Sequence, residues 1–136
     1  MEDWAAVFGS YLNSGIYEVT RSATAHIQNV AKARGLEFMQ VDLKGVTGKT
    51  AFLKKAARGL GFPAYFGMNW DAFGDCLTDM SWRPAAGYVI LLNDYRSFAA
   101  KAPADAQVAR RIFDSSAQYW KMKEVPFYII LRDKTP

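Results

Sequence analysis

Apolar positions along this chain recur at two periods, and the switches between them set the expected elements. Ile16 to Thr20 (IYEVT) alternates and is β-branched, which predicts a short strand. Ser22 to Ala33 follows at helical spacing, with Ser22 as the expected N-cap, Ala23, Ile27 and Val30 as the apolar stripe, and Gly35 as the stop. Leu36 to Leu43 alternates again, its apolar set being Leu36, Phe38, Val41 and Leu43. Phe52, Leu53, Ala56, Ala57 and Leu60 give the buried face of a helix opened by Thr47 or Thr50 and stopped between Gly59 and Pro63. Asn69 caps a further helix that runs to about Thr78. Gly87 to Leu92 (GYVILL) is apolar without a break, as a central parallel strand buried on both faces should be. Tyr95 to Lys101 reads as one short helix broken by Pro103. Asp105 to Lys121 reads as a longer one carrying Val108, Ile112, Phe113 and Trp120, and Pro126 to Arg132 as the last strand. With the short Tyr95–Lys101 helix left aside, the order β-α-β-α-α-β-α-β predicts an α/β fold: a small, mainly parallel β-sheet packed with helices.

Length and composition bound this picture without changing it. At 136 residues, 51% hydrophobic and 15% aromatic, the chain is expected to form a single domain, 1–136, with a sizeable core. One cysteine, Cys76, allows no intrachain disulfide and fits a reducing compartment. The opening residues MEDWAAVFGSYLNSG carry no basic region followed by a long apolar run, and no stretch of the sequence is long enough to span a bilayer. The expectation is a soluble cytoplasmic protein, with no membrane partner.

Charge changes the picture more. The net charge of +4 and a pI of about 9.2 invite a nucleic-acid partner. Mapped along the chain, however, the positive charge sits at both ends. Residues 60–100 hold Arg83 and Arg96 against Asp71, Asp75, Asp79 and Asp94. No cationic run exceeds two residues, the densest being Lys54-Lys55 and Arg110-Arg111, and a solvated helix face accounts for each better than a phosphate-binding patch does.

The acidic segment, Leu60 to Trp82, is also where candidate chemistry collects. Pro63 restricts the chain and Tyr65-Phe66-Gly67 turns it, with Gly67 expected to take positive φ or to admit a partner closely. Trp70, Phe73 and Leu77 share one stripe of the following helix and are expected to be core. Asp71 complements the helix dipole and Cys76 fits a buried small hydrophobe. Two features resist so plain an account. Asp71 and Asp75 are like charges at i,i+4, costing about 0.2–0.5 kcal/mol, and Gly74 lies mid-helix at a cost of about 1 kcal/mol relative to Ala. No Lys or Arg interrupts the row Asp71, Asp75, Asp79. A carboxylate face of this kind suits a cationic protein cleft and repels RNA and DNA. Nothing specific recommends an enzyme: the chain shows no Gly-rich phosphate loop, nucleophile elbow or Cys/His metal cluster, and the sole histidine, His26, lies far off on an amphipathic helix. No cofactor or metal is expected.

The run Pro63, Tyr65-Phe66-Gly67, Asn69, Asp71-Ala72, Asp75-Cys76-Leu77-Thr78 resembles the barstar family of protein inhibitors of barnase-type secreted ribonucleases. The resemblance extends over roughly Leu36 to Arg132, so that residues 36–136 look like a barstar-like core and residues 1–35 like an extension adding a strand and a helix. It implies a stoichiometric inhibitor without enzymatic activity, whose loop and second helix plug the active site of a secreted or toxin-type ribonuclease, as an antitoxin does. Carried over by motif, the partner-binding residues would be Tyr65, Gly67, Asn69, Asp71, Gly74, Asp75 and Thr78. Tyr65 would be the aromatic contact, Asn69 a polar one, Asp71 and Asp75 the acidic anchors, and Thr78 peripheral. Departures are specific: Gly74 stands where the type inhibitor has a large aromatic, Ser115 where a further acidic contact is expected, and the Asp79–Gly87 turn is longer and adds Arg83. They leave open a barstar-fold interaction module without ribonuclease inhibition.

Overall fold

The computed structural model describes residues 3–63 and 66–134, with side chains described as far as Arg132. The elements run α1 (Trp4–Val7), β1 (Gly15–Thr20), α2 (Thr24–Ala33), β2 (Glu37–Asp42), α3 (Lys49–Leu60), α4 (Trp70–Asp79), β3 (Tyr88–Asn93), α5 (Tyr95–Lys101), α6 (Pro103–Met122) and β4 (Phe127–Lys134). Four strands form one sheet in the order β1-β4-β3-β2, and all three pairings are parallel. This is the small parallel α/β sheet that the pattern predicts.

β3 and β4 lie in the middle, so both their faces must be covered. Side-chain alternation divides them cleanly. Tyr88, Ile90, Leu92, Phe127, Ile129 and Leu131 face a core built with α3, α4, α5 and α6. Val89, Leu91, Tyr128 and Ile130 face a second, smaller core built from Trp4, Phe8, Val19, Ile27, Ala31 and Leu36. Tyr128 ties that layer down: its hydroxyl donates to the carbonyls of Val7 (3.0 Å) and Ser10 (2.7 Å), and its ring lies 4.7 Å from that of Phe8. Burial pushes the Tyr128 phenol up to about 12. Ser14 Oγ accepts the Phe127 N–H at 3.0 Å, and Arg34 donates to the Ala5 carbonyl at 2.8 Å.

Several element boundaries differ from expectation, each for a local reason. Ser22 does not cap α2. Arg21–Ala23 form a 3₁₀ turn, the helix proper starts at Thr24, and the Ser22 hydroxyl pairs with that of Thr20 at 2.9 Å. α3 is capped by Gly48, without a side-chain acceptor from Thr47 or Thr50. Pro103 opens α6 instead of preceding it, because a proline at the first helical position gives up an N–H that has no intrahelical partner. The end of α3 does fall between Gly59 and Pro63, as expected: Gly59 lies in its last turn and Gly61, at φ 71°, is the stop.

Gly59 has a packing role. A Cβ there would sit 2.3 Å from the Gln40 carbonyl oxygen and 3.1 Å from the Val41 Cα, both backbone atoms of β2. Glycine is what lets α3 rest on the strand. Gly59→Ala is therefore expected to destabilise by about 1–3 kcal/mol through overpacking, although alanine is the better helix former; urea unfolding measures the sign. Tyr128→Phe is expected to cost about 1 kcal/mol near neutral pH for the lost hydrogen bonds. Because the folded phenol ionises well above its unfolded value, its share of stability is complete below the unfolded pKa of about 10 and is lost as pH rises beyond it. Unfolding curves at rising pH should accordingly show the gap between Tyr128→Phe and the parent protein narrowing above about pH 10.

Candidate functional site

α4 is built to bury one side and leave the other bare. Asn69 has extended backbone (φ −139°, ψ 170°) and its Oδ1 accepts the Ala72 N–H at 2.7 Å, so it caps the helix as the sequence predicts. Its Nδ2 also donates to the Gly67 carbonyl at 3.3 Å, closing the loop onto the cap. The left-handed residue in this loop is Met68 (φ 54°), not Gly67. A Cβ on Gly67 would meet nothing closer than 3.4 Å, so its backbone freedom is not what shapes the turn. Tyr65 lies outside the described residues. Phe66 packs its ring 4.8 Å from Phe62 and holds the loop against the core.

The inner side carries Phe73, Cys76 and Leu77, all buried. Phe73 meets the rings of Phe52 (5.6 Å), Phe62 (5.9 Å) and Phe113 (5.7 Å), and Trp70 meets Phe52 at 5.5 Å. Phe73 is a core residue, as expected, while Trp70 is half-buried and packs against the core from its edge. α6 locks the far end: Trp120 Nε1 donates to the Leu77 carbonyl at 2.8 Å. The helix stops at Met80, buried and left-handed at φ 54°, one residue beyond Asp79. Burial pushes the Cys76 thiol up, with the charges of Asp79 and Asp75 adding to the effect, so it is a protonated core group.

On the outer side Asp71, Asp75 and Asp79 are all exposed, and none forms an ion pair among the described residues. Eight residues at 1.5 Å each put the ends of this row about 12 Å apart. The structure thus brings Asn69, Asp71 and Asp75 to one open surface. Thr78 is half-buried and its hydroxyl is turned inward, donating to the Gly74 carbonyl at 2.9 Å. Gly74 is half-buried beside α6, and the one atom within 4 Å of a Cβ placed there is Ile112 Cγ2, at 3.7 Å. Ser115 is exposed on α6, its hydroxyl donating to the Arg111 carbonyl at 2.7 Å. Arg83 does not serve the acidic row. Its guanidinium pairs with Glu37 at 2.8 Å and donates to the Leu60 carbonyl at 2.8 Å, strapping the α4–β3 turn to β2 and the end of α3. Neither Arg83's role nor Ile112's place beneath Gly74 has a local sequence signal, since both depend on contacts distant in the chain.

The β2–α3 connection ends in Gly48-Lys49-Thr50, but buried Leu43 stands where a phosphate-binding loop carries its first glycine. Among the described residues no three His, Cys, Asp or Glu side chains group so as to hold a metal ion, and no helix is long and apolar enough to cross a membrane.

Residues 36–132 match the sequence model of the family described as Barstar (barnase inhibitor). No curated protein matches the chain. Among solved structures, the ORC2 protein of Aeropyrum pernix, determined in ADPNP–ADP complexes, superposes with a TM-score of 0.59 at 13% identity. That match takes in 98% of this chain but only 40% of ORC2, and at such identity it speaks to the fold alone.

The geometry at Gly74 separates packing from partner selection. A methyl group fits there at ordinary contact distance, so Gly74→Ala is expected to stabilise the free protein by up to about 1 kcal/mol through helix propensity. Urea unfolding tests this, and a loss of stability would show that α4 and α6 need the glycine.

Proposed function

This chain belongs to the barstar family, and from that premise we propose that it inhibits a barnase-type ribonuclease by masking the enzyme's cationic active site with the outer face of α4. The observation that carries the proposal is the exposed row Asp71, Asp75, Asp79, without an ion pair among the described residues, on a helix whose other side is committed to the core. A ribonuclease cleft must hold cations to bind phosphates, and carboxylates on a rigid helix can take the phosphates' place without any chemistry of their own. Asp75 is the central anchor because it sits mid-row, Asp71 is the second, Asn69 is a polar contact beside them, and the family motif assigns Tyr65 as the aromatic contact. Gly67, Gly74 and Thr78 shape the surface: Gly67 carries the carbonyl that Asn69 holds, and Gly74 leaves a shallow notch over Ile112. The protein acts as a binder and not an enzyme, in the compartment where a cell must protect itself from its own secreted or toxin-type ribonuclease, the cytoplasm.

A second reading, an interaction module that no longer inhibits ribonucleases, is favoured by the absence of a side chain at Gly74 and of a carboxylate at Ser115. The two diverge in one assay. If the protein inhibits, a molar excess abolishes cleavage of RNA by a barnase-type ribonuclease, and Asp75→Ala weakens inhibition at least about tenfold, about 1.4 kcal/mol, while Glu124→Ala changes it little. The barnase–barstar pair is itself the standard illustration of such charged hot spots, so this is a family expectation. Full ribonuclease activity at molar excess, with barnase and with any ribonuclease encoded beside this gene, would leave only the module.

A further inference from the structure

The sheet has two edges, and they are treated differently. At the β2 edge, α3 presses Gly59 onto the Gln40 carbonyl and Arg83 straps Glu37 to the end of α3. At the β1 edge, among the described residues, β1 pairs with β4 on one side and with no strand on the other. It is six residues long, with neither proline nor lysine to blunt it, and its register against β4 is regular until Val19. An open edge of this kind is a row of backbone N–H and C=O groups ready to accept another strand.

Beside that edge, on the face that carries α5 and α6, two adjoining hollows of about 360 and 460 Å³ share Gln107 and Arg110 and form one trough. Its charged lining is Arg96 from α5, Arg110, Arg111 and Asp114 from α6, and Glu18 from β1. Of these, Arg110, Arg111, Asp114 and Glu18 have no ion pair or side-chain hydrogen bond among the described residues. Ile16, half-buried, supplies an apolar floor.

We propose that the β1 edge and this trough form a self-association surface, on which a second copy of the chain pairs β1 antiparallel to β1 about a two-fold axis perpendicular to the sheet. Charges of both signs on one patch decide the occupant. An isologous contact requires a self-complementary patch, and cations beside unpaired anions provide one. A nucleic acid would be repelled by Glu18 and Asp114, and an acidic peptide would meet the same two carboxylates. Pairing centred on Tyr17 sets Ile16 opposite the second copy's Glu18. Both copies then carry α6 on the same side of an eight-stranded sheet, so that Arg110 and Arg111 reach toward the second copy's Glu18 and Asp114. α6 meets α4 through Ile112, on a different flank from the trough. The dimer therefore leaves both acidic rows open. The strand that makes it, β1, lies outside residues 36–132, while α6, which supplies Arg110, Arg111 and Asp114, lies within them, so the surface joins this chain's extension to the family-matched part.

Sedimentation of the full chain tests this. With rising concentration its mass should climb from 15.2 kDa toward twice that value, more readily at low salt than at high. The β1 amides should gain hydrogen-exchange protection in parallel. Arg110→Glu with Arg111→Glu should sediment as a monomer, as should Glu18→Arg with Asp114→Arg. Mixing the two variants should restore a dimer, a rescue that misfolded variants could not give. A parent protein that stays monomeric through about 1 mM, or a dimer that persists in both charge-reversed variants, overturns the proposal. So does RNA binding at the trough by a chain that never dimerises.

Discussion

A parallel strand with neighbours on both sides has to bury both its faces, and this structure is organised around meeting that demand for β3 and β4. Their alternate side chains point into two separate cores. The larger one is closed by α3 to α6. The smaller is closed almost wholly by residues 4–31, outside the family-matched span. Val89, Leu91, Tyr128 and Ile130 are each no more than 1% exposed beneath that layer. Burying one such aliphatic side chain is worth about 1.5–3 kcal/mol, so the layer's contribution is of the order of the whole net stability of a small domain, about 5–15 kcal/mol. The extension is thus part of the fold's foundation. It also moves the sheet's edge outward, from β4 to β1.

The same demand places the candidate site. α4 is one of the lids on the larger core, and Phe73 and Leu77 commit its inner side completely. The Asn69 cap at one end and Trp120 at the other fix its position without using any outward group. Like-charge repulsion along Asp71, Asp75 and Asp79 costs a few tenths of a kcal/mol per pair, far below what the burial of Phe73 alone contributes. The core therefore wins, and the outer face is free to carry a charge pattern that a stability optimum would not select.

Most of the fold was legible because its signals are local. The unbroken run Gly87 to Leu92 announced a two-sided strand, and the Trp70–Phe73–Leu77 stripe announced the core side of α4. What was not legible came from long-range packing. Gly59 resembles a helix stop in sequence, and only the approach of β2 reveals it as a contact. Of the two roles expected for Gly67, positive φ or close approach by a partner, the first falls to Met68, next to the Gly67 carbonyl that the Asn69 side chain holds. Thr47, Thr50 and Ser22 all look like caps, yet a cap needs its oxygen aimed at a free N–H, and that aim is set by the incoming chain. For the site, the residues that the motif singles out and the exposed α4 surface coincide at Asn69, Asp71 and Asp75. Gly74 and Thr78 lie instead against their own structure.

The contrast between a chain of net charge +4 and an acidic face resolves on the scale of screening. At physiological ionic strength the Debye length is about 8 Å, while the acidic row spans about 12 Å. Neighbouring carboxylates of the row lie about 6 Å apart along the helix, within that length, so a partner that approached α4 would feel them almost as one multivalent anion, while charges more than a Debye length away would be largely screened. Overall charge governs the approach only beyond that distance, where it would slow a basic partner instead of steering it. Affinity in such an arrangement has to come from the contact itself: rigid carboxylates, already positioned by a saturated core, meeting cations that lose their water on binding. A face of this kind is selective by geometry more than by attraction, which makes the shape around Gly74 as consequential as the charge of Asp75.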